Sequence, residues 1–161
     1  MDSVHRLPGP SQRGAAAIEF AFVLPLLLVI FSGMVEFGRA MWHYDALAKG
    51  ARDAARYLST LPAAELTAQA ASPTSTTRTI VSHAATEAGV AGLAAADITI
   101  TCAPRPCASV LSPADVTTVS VAVDYPFVIG SWVPLFGPRA GDAASAAATT
   151  LSPHVTMRYM R

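Results

Sequence analysis

The chain has 161 residues, enough for one ordinary domain or for an anchor and a small one. Hydrophobic residues make up 52% and charged residues 14%, a balance that leans toward a membrane protein, while aromatics are only 7%. The formal net charge is +0 with a pI near 6.9, so no basic excess points to nucleic acid or to an anionic membrane surface.

Met1 to Gln12 is short and polar, and Pro8, Gly9 and Pro10 break any helix there. His5, Arg6 and Arg13 give it a basic character, followed by an apolar run in the manner of a secretory signal. The run is longer than an ordinary signal core and no A-x-A site follows it, so it reads as a retained anchor.

From Ala15 to Val35 only Glu19 is charged. About 20 apolar residues suffice to cross a bilayer as a helix. Two features inside this stretch stand out. Glu19 is costly in lipid and is by default a candidate functional residue, or else it reaches the nearby headgroups or stays protonated. Pro25 cannot donate a backbone hydrogen bond and crowds the carbonyl of Ala21, which predicts a kink, although membrane helices tolerate proline. Beyond Val35 the chain turns amphipathic without meeting proline before Pro62, so one helix can run from the membrane into the aqueous space.

Charge does not decide the orientation. Arg6 and Arg13 precede the apolar run, and Arg39, Lys49, Arg52 and Arg56 follow it, which taken literally places the C-terminal side in the cytoplasm.

In the second half of this helix Ala46, Gly50 and Ala54 recur at a spacing of four and form a stripe that another helix could approach closely. The stripe suits packing on other helices of the same kind or on the chain's own C-terminal domain. Glu36 with Arg39, and Asp53 with Arg56, are spaced to support the helix by a few tenths of a kcal/mol each. His43 lies between Trp42 and Tyr44. These aromatics would suit a membrane interface although they lie beyond the apolar run. A lone histidine in this setting is expected at the surface.

Several of these residues together carry a resemblance. Gly14 followed by AAAIEF, with Glu19 five residues on, resembles the processing site of class III type IV prepilins. The longer pattern, RGAAAIEF from Arg13, the LP at Pro25, the EFGRA step at Glu36 and the Ala-Arg-rich tail to Leu58, is similar to the TadE-like proteins of tight-adherence (Flp) pilus systems. The resemblance implies cleavage by a prepilin peptidase on the cytoplasmic side, after Gly14, leaving Ala15 as the new N-terminus. It implies that Glu19 pairs with the N-terminal amine of a neighbouring subunit. It also implies a single pass through the cytoplasmic (inner) membrane with the C-terminal domain outside the cytoplasm. Expected partners are other pilin-like subunits, pilus assembly proteins, the peptidase and the lipid bilayer.

Leu61-Pro62 should end the long helix. Ala63 to Ala71 reads as a short helix and SPTSTT as a turn with an N-cap. Thr77 to Gly89 has helical spacing, with Gly89 and Gly92 as stops. Asp97 to Cys102 alternates as a strand. Val116 to Phe127 alternates more clearly, with Val119, Val121, Val123 and Tyr125 on one face and Pro126 ending its pairing or marking an edge. Phe127 to Pro138 is an apolar stretch that could plug the core, contact a partner or touch a membrane surface. Ala143 to Leu151 and Val155 to Tyr159 read as final strands around Pro153.

Cys102 and Cys107, outside the cytoplasm, would form a disulfide closing a small loop. The four histidines are scattered and no second cysteine pair exists, so neither zinc nor a redox motif is expected. No G-x-S-x-G context or phosphate-binding glycine loop occurs, and no catalytic residue, metal or cofactor is assigned.

The expected architecture is α+β: residues 1–14 a leader, 15–60 a transmembrane and amphipathic helix, and 61–161 a small extracytoplasmic domain with a few antiparallel strands. The expected role is that of a minor pilin or pseudopilin in assembly of a Tad/Flp-type pilus or related secretion apparatus. The alternative is a membrane-anchored binding protein that never enters a filament. An anchored enzyme would need a convergent polar site that the sequence does not display.

Overall fold

The structure, a computed structural model, describes residues 13–110, 112–129 and 148–160. The chain divides into two compact units, Met1–Phe37 and Gly38–Arg161. Helix α1 (Arg13–Thr60) runs through Pro25 and supplies the described part of the first unit and the opening element of the second.

In the first unit the described apolar side chains are exposed, and Glu36 near its end is buried. Ile18, Phe20, Phe22, Leu26, Phe31 and Met34 are each more than 60% exposed, which no aqueous domain tolerates over so long a run. This helix is long and apolar enough to cross a membrane, with a mean hydropathy of 2.4 over its most apolar stretch.

The second unit is a small α+β body. Its helices are the C-terminal half of α1, α2 (Ala63–Ala71) and α3 (Thr76–Glu87). Strands β1 (Ile98–Pro104), β2 (Val116–Val123) and β5 (His154–Arg158) form an antiparallel sheet with β2 in the centre. Strands β3 (Tyr125–Val128) and β4 (Ala148–Leu151) pair separately, also antiparallel. The α+β expectation therefore holds.

The core follows from two periodicities. Leu47, Ala51, Ala54, Ala55 and Leu58 recur at helical spacing on α1 and are fully buried. Val119, Val121 and Val123 alternate on β2 and are equally buried. Val116 is buried too, out of step with that alternation, because the register slips there: Ala103 pairs with Thr118 while Pro104 pairs with Val116. The extra residue, Thr117, turns the strand by one and brings both valines inward. Ala63, Leu66, Val81, Ala85, Val90, Ile98, Val110 and Tyr159 complete the cluster.

The helix ends are closed by identifiable groups. At the end of α1, Ser59 and Thr60 donate their hydroxyls to the carbonyls of Arg56 and Tyr57, both at 2.8 Å. The Tyr159 hydroxyl donates to the Leu61 carbonyl at 2.6 Å and Met160 N–H to the Ser59 carbonyl at 3.0 Å, so the two residues after the last strand tie down carbonyls left open where the helix ends. Helix α3 ends as its glycines predict. Gly89 has φ +74°, its N–H bonds to Thr86 O at 3.0 Å, and Val90 N–H bonds to Ala85 O at 2.9 Å. That pair of bonds is a Schellman stop, and a side chain at Gly89 would be strained.

Arg78 holds the α2–α3 corner, a role that composition and spacing do not reveal. Its guanidinium donates to the carbonyls of Gln69, Ala70, Ser72 and Ala95 at 2.7 to 3.1 Å. Across the same corner Gln69 Oε1 accepts from both the N–H and the hydroxyl of the buried Thr77, at 3.1 and 2.9 Å.

Two expectations change in detail. Val116 to Phe127 is not one strand: it breaks at Asp124 and continues in the other sheet. Asp124 N–H turns to the Asp97 carbonyl at 2.8 Å, and Pro126, lacking an N–H, is accommodated in the two-stranded pair. Of the apolar stretch Phe127 to Pro138, Phe127 is buried and Ile129 is exposed, and residues 130–138 lie outside the described residues. Residues 143–147 of the expected strand Ala143 to Leu151 also lie outside them.

Cys102 and Cys107 form a disulfide, with Cα atoms 5.0 Å apart, which joins β1 to the 3₁₀ turn Cys107–Ser109. A loop of this size contributes about 2 kcal/mol by restricting the unfolded chain. Thr67 on α2 donates its hydroxyl to the Cys107 carbonyl at 2.7 Å and anchors the turn from the other side.

Candidate functional site

The residues singled out in the sequence separate between the two units. Gly14 and Ala15 stand in the first turn of α1. Glu19 follows about one turn later with its side chain exposed. The apolar surface from Ile18 to Val35 is thus exposed along the helix, with one carboxylate near its start.

The small-residue stripe lies in the second unit. Gly50 is pressed against α3: a Cβ there would stand 3.0 Å from Ala84 Cβ and 3.2 Å from Val81 Cα. Ala54 is fully buried in the core. Ala46 is half-buried and lines an open groove of about 320 Å³ between α1 and α3, together with Trp42, Lys49, Ala84 and Ala88. At Gly50 and Ala54 the close approach that small residues allow is taken up by the chain's own core.

One turn toward the N-terminus, the inward face of the helix carries polar groups. Arg39 stacks its guanidinium 4.9 Å from the centre of the Phe127 ring and reaches the Val128 carbonyl with Nη2 at 3.5 Å. His43 meets Phe127 edge-on at 5.5 Å and Tyr125 at 6.2 Å between ring centres. The histidine is buried, not at the surface as its isolation in the sequence suggests. The legible signal was the spacing: Arg39, His43 and Leu47 extend by fours the face that Ala51 and Ala55 continue.

On the outer face, the exposed Asp45 and Lys49 pair at 2.6 Å, worth little to stability. His83 and Glu87 on α3 are similarly exposed. Among the described residues no three His, Cys, Asp or Glu side chains stand close enough to hold a metal ion.

A model of the TadE-like protein family matches residues 14–56. This segment is similar to the TadE-like family. No curated protein and no solved structure matches the chain. The TadE-like match covers the apolar face, Glu19, the Arg39 and His43 turn and the Ala46–Ala54 stripe, and it ends before the helix does. TadE-like proteins are pilus-associated structural components, and the chain carries, with this segment, an N-terminal helix able to span a membrane once.

Proposed function

We propose that this chain is a minor pilin or pseudopilin that acts in assembly of a Tad/Flp-type pilus or related secretion apparatus. The observation that carries the reading is the outward-facing apolar helix with Glu19 as its one charge from Ala15 to Val35, lying within the TadE-like match. In this reading the helix is stored in the inner membrane with the C-terminal unit outside the cytoplasm. A prepilin peptidase cleaves after Gly14, and Ala15 becomes an N-terminal ammonium. The helix then packs laterally on related helices. A carboxylate taken among apolar helices without a partner costs several kcal/mol, so pairing of Glu19 with the ammonium of a neighbouring subunit selects the docking register. The function is structural and needs no cofactor. Because Gly50 and Ala54 are occupied by the chain's own core, the lateral contacts are assigned to the segment preceding them.

The test is crosslinking to pilin-like subunits in membranes that also contain the peptidase, comparing wild type with Glu19→Val at matched abundance. Intact mass should first show a mature chain beginning at Ala15. The Val variant should insert normally, since it is more apolar, and lose crosslinks, with Glu19→Asp intermediate. An uncleaved chain that inserts but never crosslinks would instead be a membrane-anchored binding protein. Equal crosslinking of wild type and Glu19→Val would remove the docking role of the carboxylate.

A further inference from the structure

By its charges, the lipid-facing part of the helix ends at Val35, because Glu36, Arg39 and His43 follow. The burial of Glu36, at 7% exposure, and the first turns of the second unit contradict that boundary. In its first turns the polar side chains point inward: Arg39 lies over Phe127 and bonds to the Val128 carbonyl, and His43 is buried against Phe127 and Tyr125. The side chains that point outward are Met41, Trp42 and Tyr44, at 50%, 67% and 41% exposure. Ile129, one residue beyond the carbonyl that Arg39 reaches, is exposed as well. The outward charges of this unit's helix begin only at Asp45 and continue with Lys49, Arg52, Asp53 and Arg56. Aromatics outside and polar groups inside is the reverse of a water-facing amphipathic helix. Tryptophan and tyrosine with a polar tip and an apolar body suit the headgroup boundary, where such residues concentrate.

We propose that the bilayer contact of this chain extends to Tyr44, with Met41, Trp42 and Tyr44 seated in the interfacial layer of the phospholipid and the hydrocarbon core ending near Met41. The proposal rests on the membrane-anchor reading above and places that anchor in the bilayer. Its occupant is lipid, because the surface continues the exposed apolar run of the same helix and stops where the outward charges start.

A hydrocarbon core needs about 20 helical residues, so one ending at Met41 begins near Phe22. Glu19 then stands about one turn outside it, among headgroups, where an ionised carboxylate needs no protein partner. The Gly14–Ala15 bond lies about 10 Å from the hydrocarbon edge, on the water side, within reach of a peptidase working at the membrane surface. A span of Ala15 to Val35 would instead bury Glu19 from the start. The stored form therefore tolerates Glu19 unpaired, and pairing becomes necessary only when the helix leaves the lipid.

The experiment uses the full chain in vesicles of phosphatidylcholine and phosphatidylglycerol, with Trp132→Phe leaving Trp42 as the one tryptophan. Emission is quenched by lipids brominated near the glycerol backbone, by lipids brominated near the chain ends, and by aqueous iodide. Trp42 should respond to the shallow bromines and resist iodide several-fold better than a chain carrying Arg56→Trp with both native tryptophans replaced by Phe. A chain carrying Val35→Trp in the same background should respond to the deep bromines. Met41→Cys in native membranes, with Cys102 and Cys107 kept oxidised, repeats the test without altering tryptophan, and should resist an impermeant maleimide until detergent is added. Chains that float with vesicles while Trp42 is open to iodide and Val35→Trp is shallow would overturn the extended boundary and keep the anchor. Trp42 shielded from iodide and from both bromines would also overturn it, by showing that protein and not lipid covers the site. Failure to float at all would remove the anchor reading itself.

Discussion

Gly50 offers the sharpest test of how the helix and the C-terminal body fit together. A Cβ at this position would stand 3.0 Å from Ala84 Cβ and 3.2 Å from Val81 Cα, and the second neighbour is backbone, which cannot rotate away. Gly50→Ala gains about 1 kcal/mol of helix propensity but forces α3 back by a few tenths of an ångström, and overpacking of this kind costs about 1–3 kcal/mol. The two nearly offset, so the variant should lie between unchanged and about 2 kcal/mol less stable. Gly50→Leu adds three more carbons where one is already too close. It should cost at least about 3 kcal/mol, on the order of 10 °C in melting temperature for a body of this size. Ala46→Leu is the control on the same stripe: that side chain is half-buried beside an open groove and should change stability by less than about 1 kcal/mol. Melting would be followed by near-ultraviolet circular dichroism of the full chain in detergent, which reports tertiary packing and leaves out the helical signal of the anchor. If Gly50→Leu melts with the wild type, α3 is not seated on this face and the stripe is free for another chain. Equal losses for Gly50→Leu and Ala46→Leu would equally refute the argument, since only one of the two sites is closed.

Other residues make separate tests. Arg78→Met removes a charged donor shared among four carbonyls and should lower stability by about 1.5–3 kcal/mol, with Arg78→Lys recovering only part because an ammonium cannot span them. His43→Ala removes a buried ring that meets Phe127 and Tyr125 edge-on and should lower stability by about 1–3 kcal/mol in the same melts, and an unchanged melting temperature would refute that seat for the ring.

Much of this protein is legible along the chain because its strongest signals are local. The apolar run, Glu19, Pro25 and the Ala-Arg-rich tail are contiguous, and they suffice for one long helix and for the TadE-like match. Gly89 and Pro62 mark helix boundaries because backbone geometry at a stop depends on one or two residues. Alternation placed Val119, Val121 and Val123 on the buried face, since a strand repeats every two residues whatever it pairs with. The cysteine pair is five residues apart, close enough for the chain itself to bring the thiols together.

What the tertiary structure alone decided depends on partners distant in sequence. Asp124 splits the expected strand because its N–H finds Asp97, and Arg78 became a corner post because four carbonyls from two segments converge on it. Gly50 became a contact with α3, where periodicity allowed a foreign helix equally well. The side on which each polar group of the helix lies was also undecided by composition. Arg39 and His43 read as the start of the aqueous segment until Tyr125 and Phe127, more than 80 residues later, closed over them. A helix sequence specifies which residues share a face, and only what packs against that face determines whether it meets protein, water or lipid.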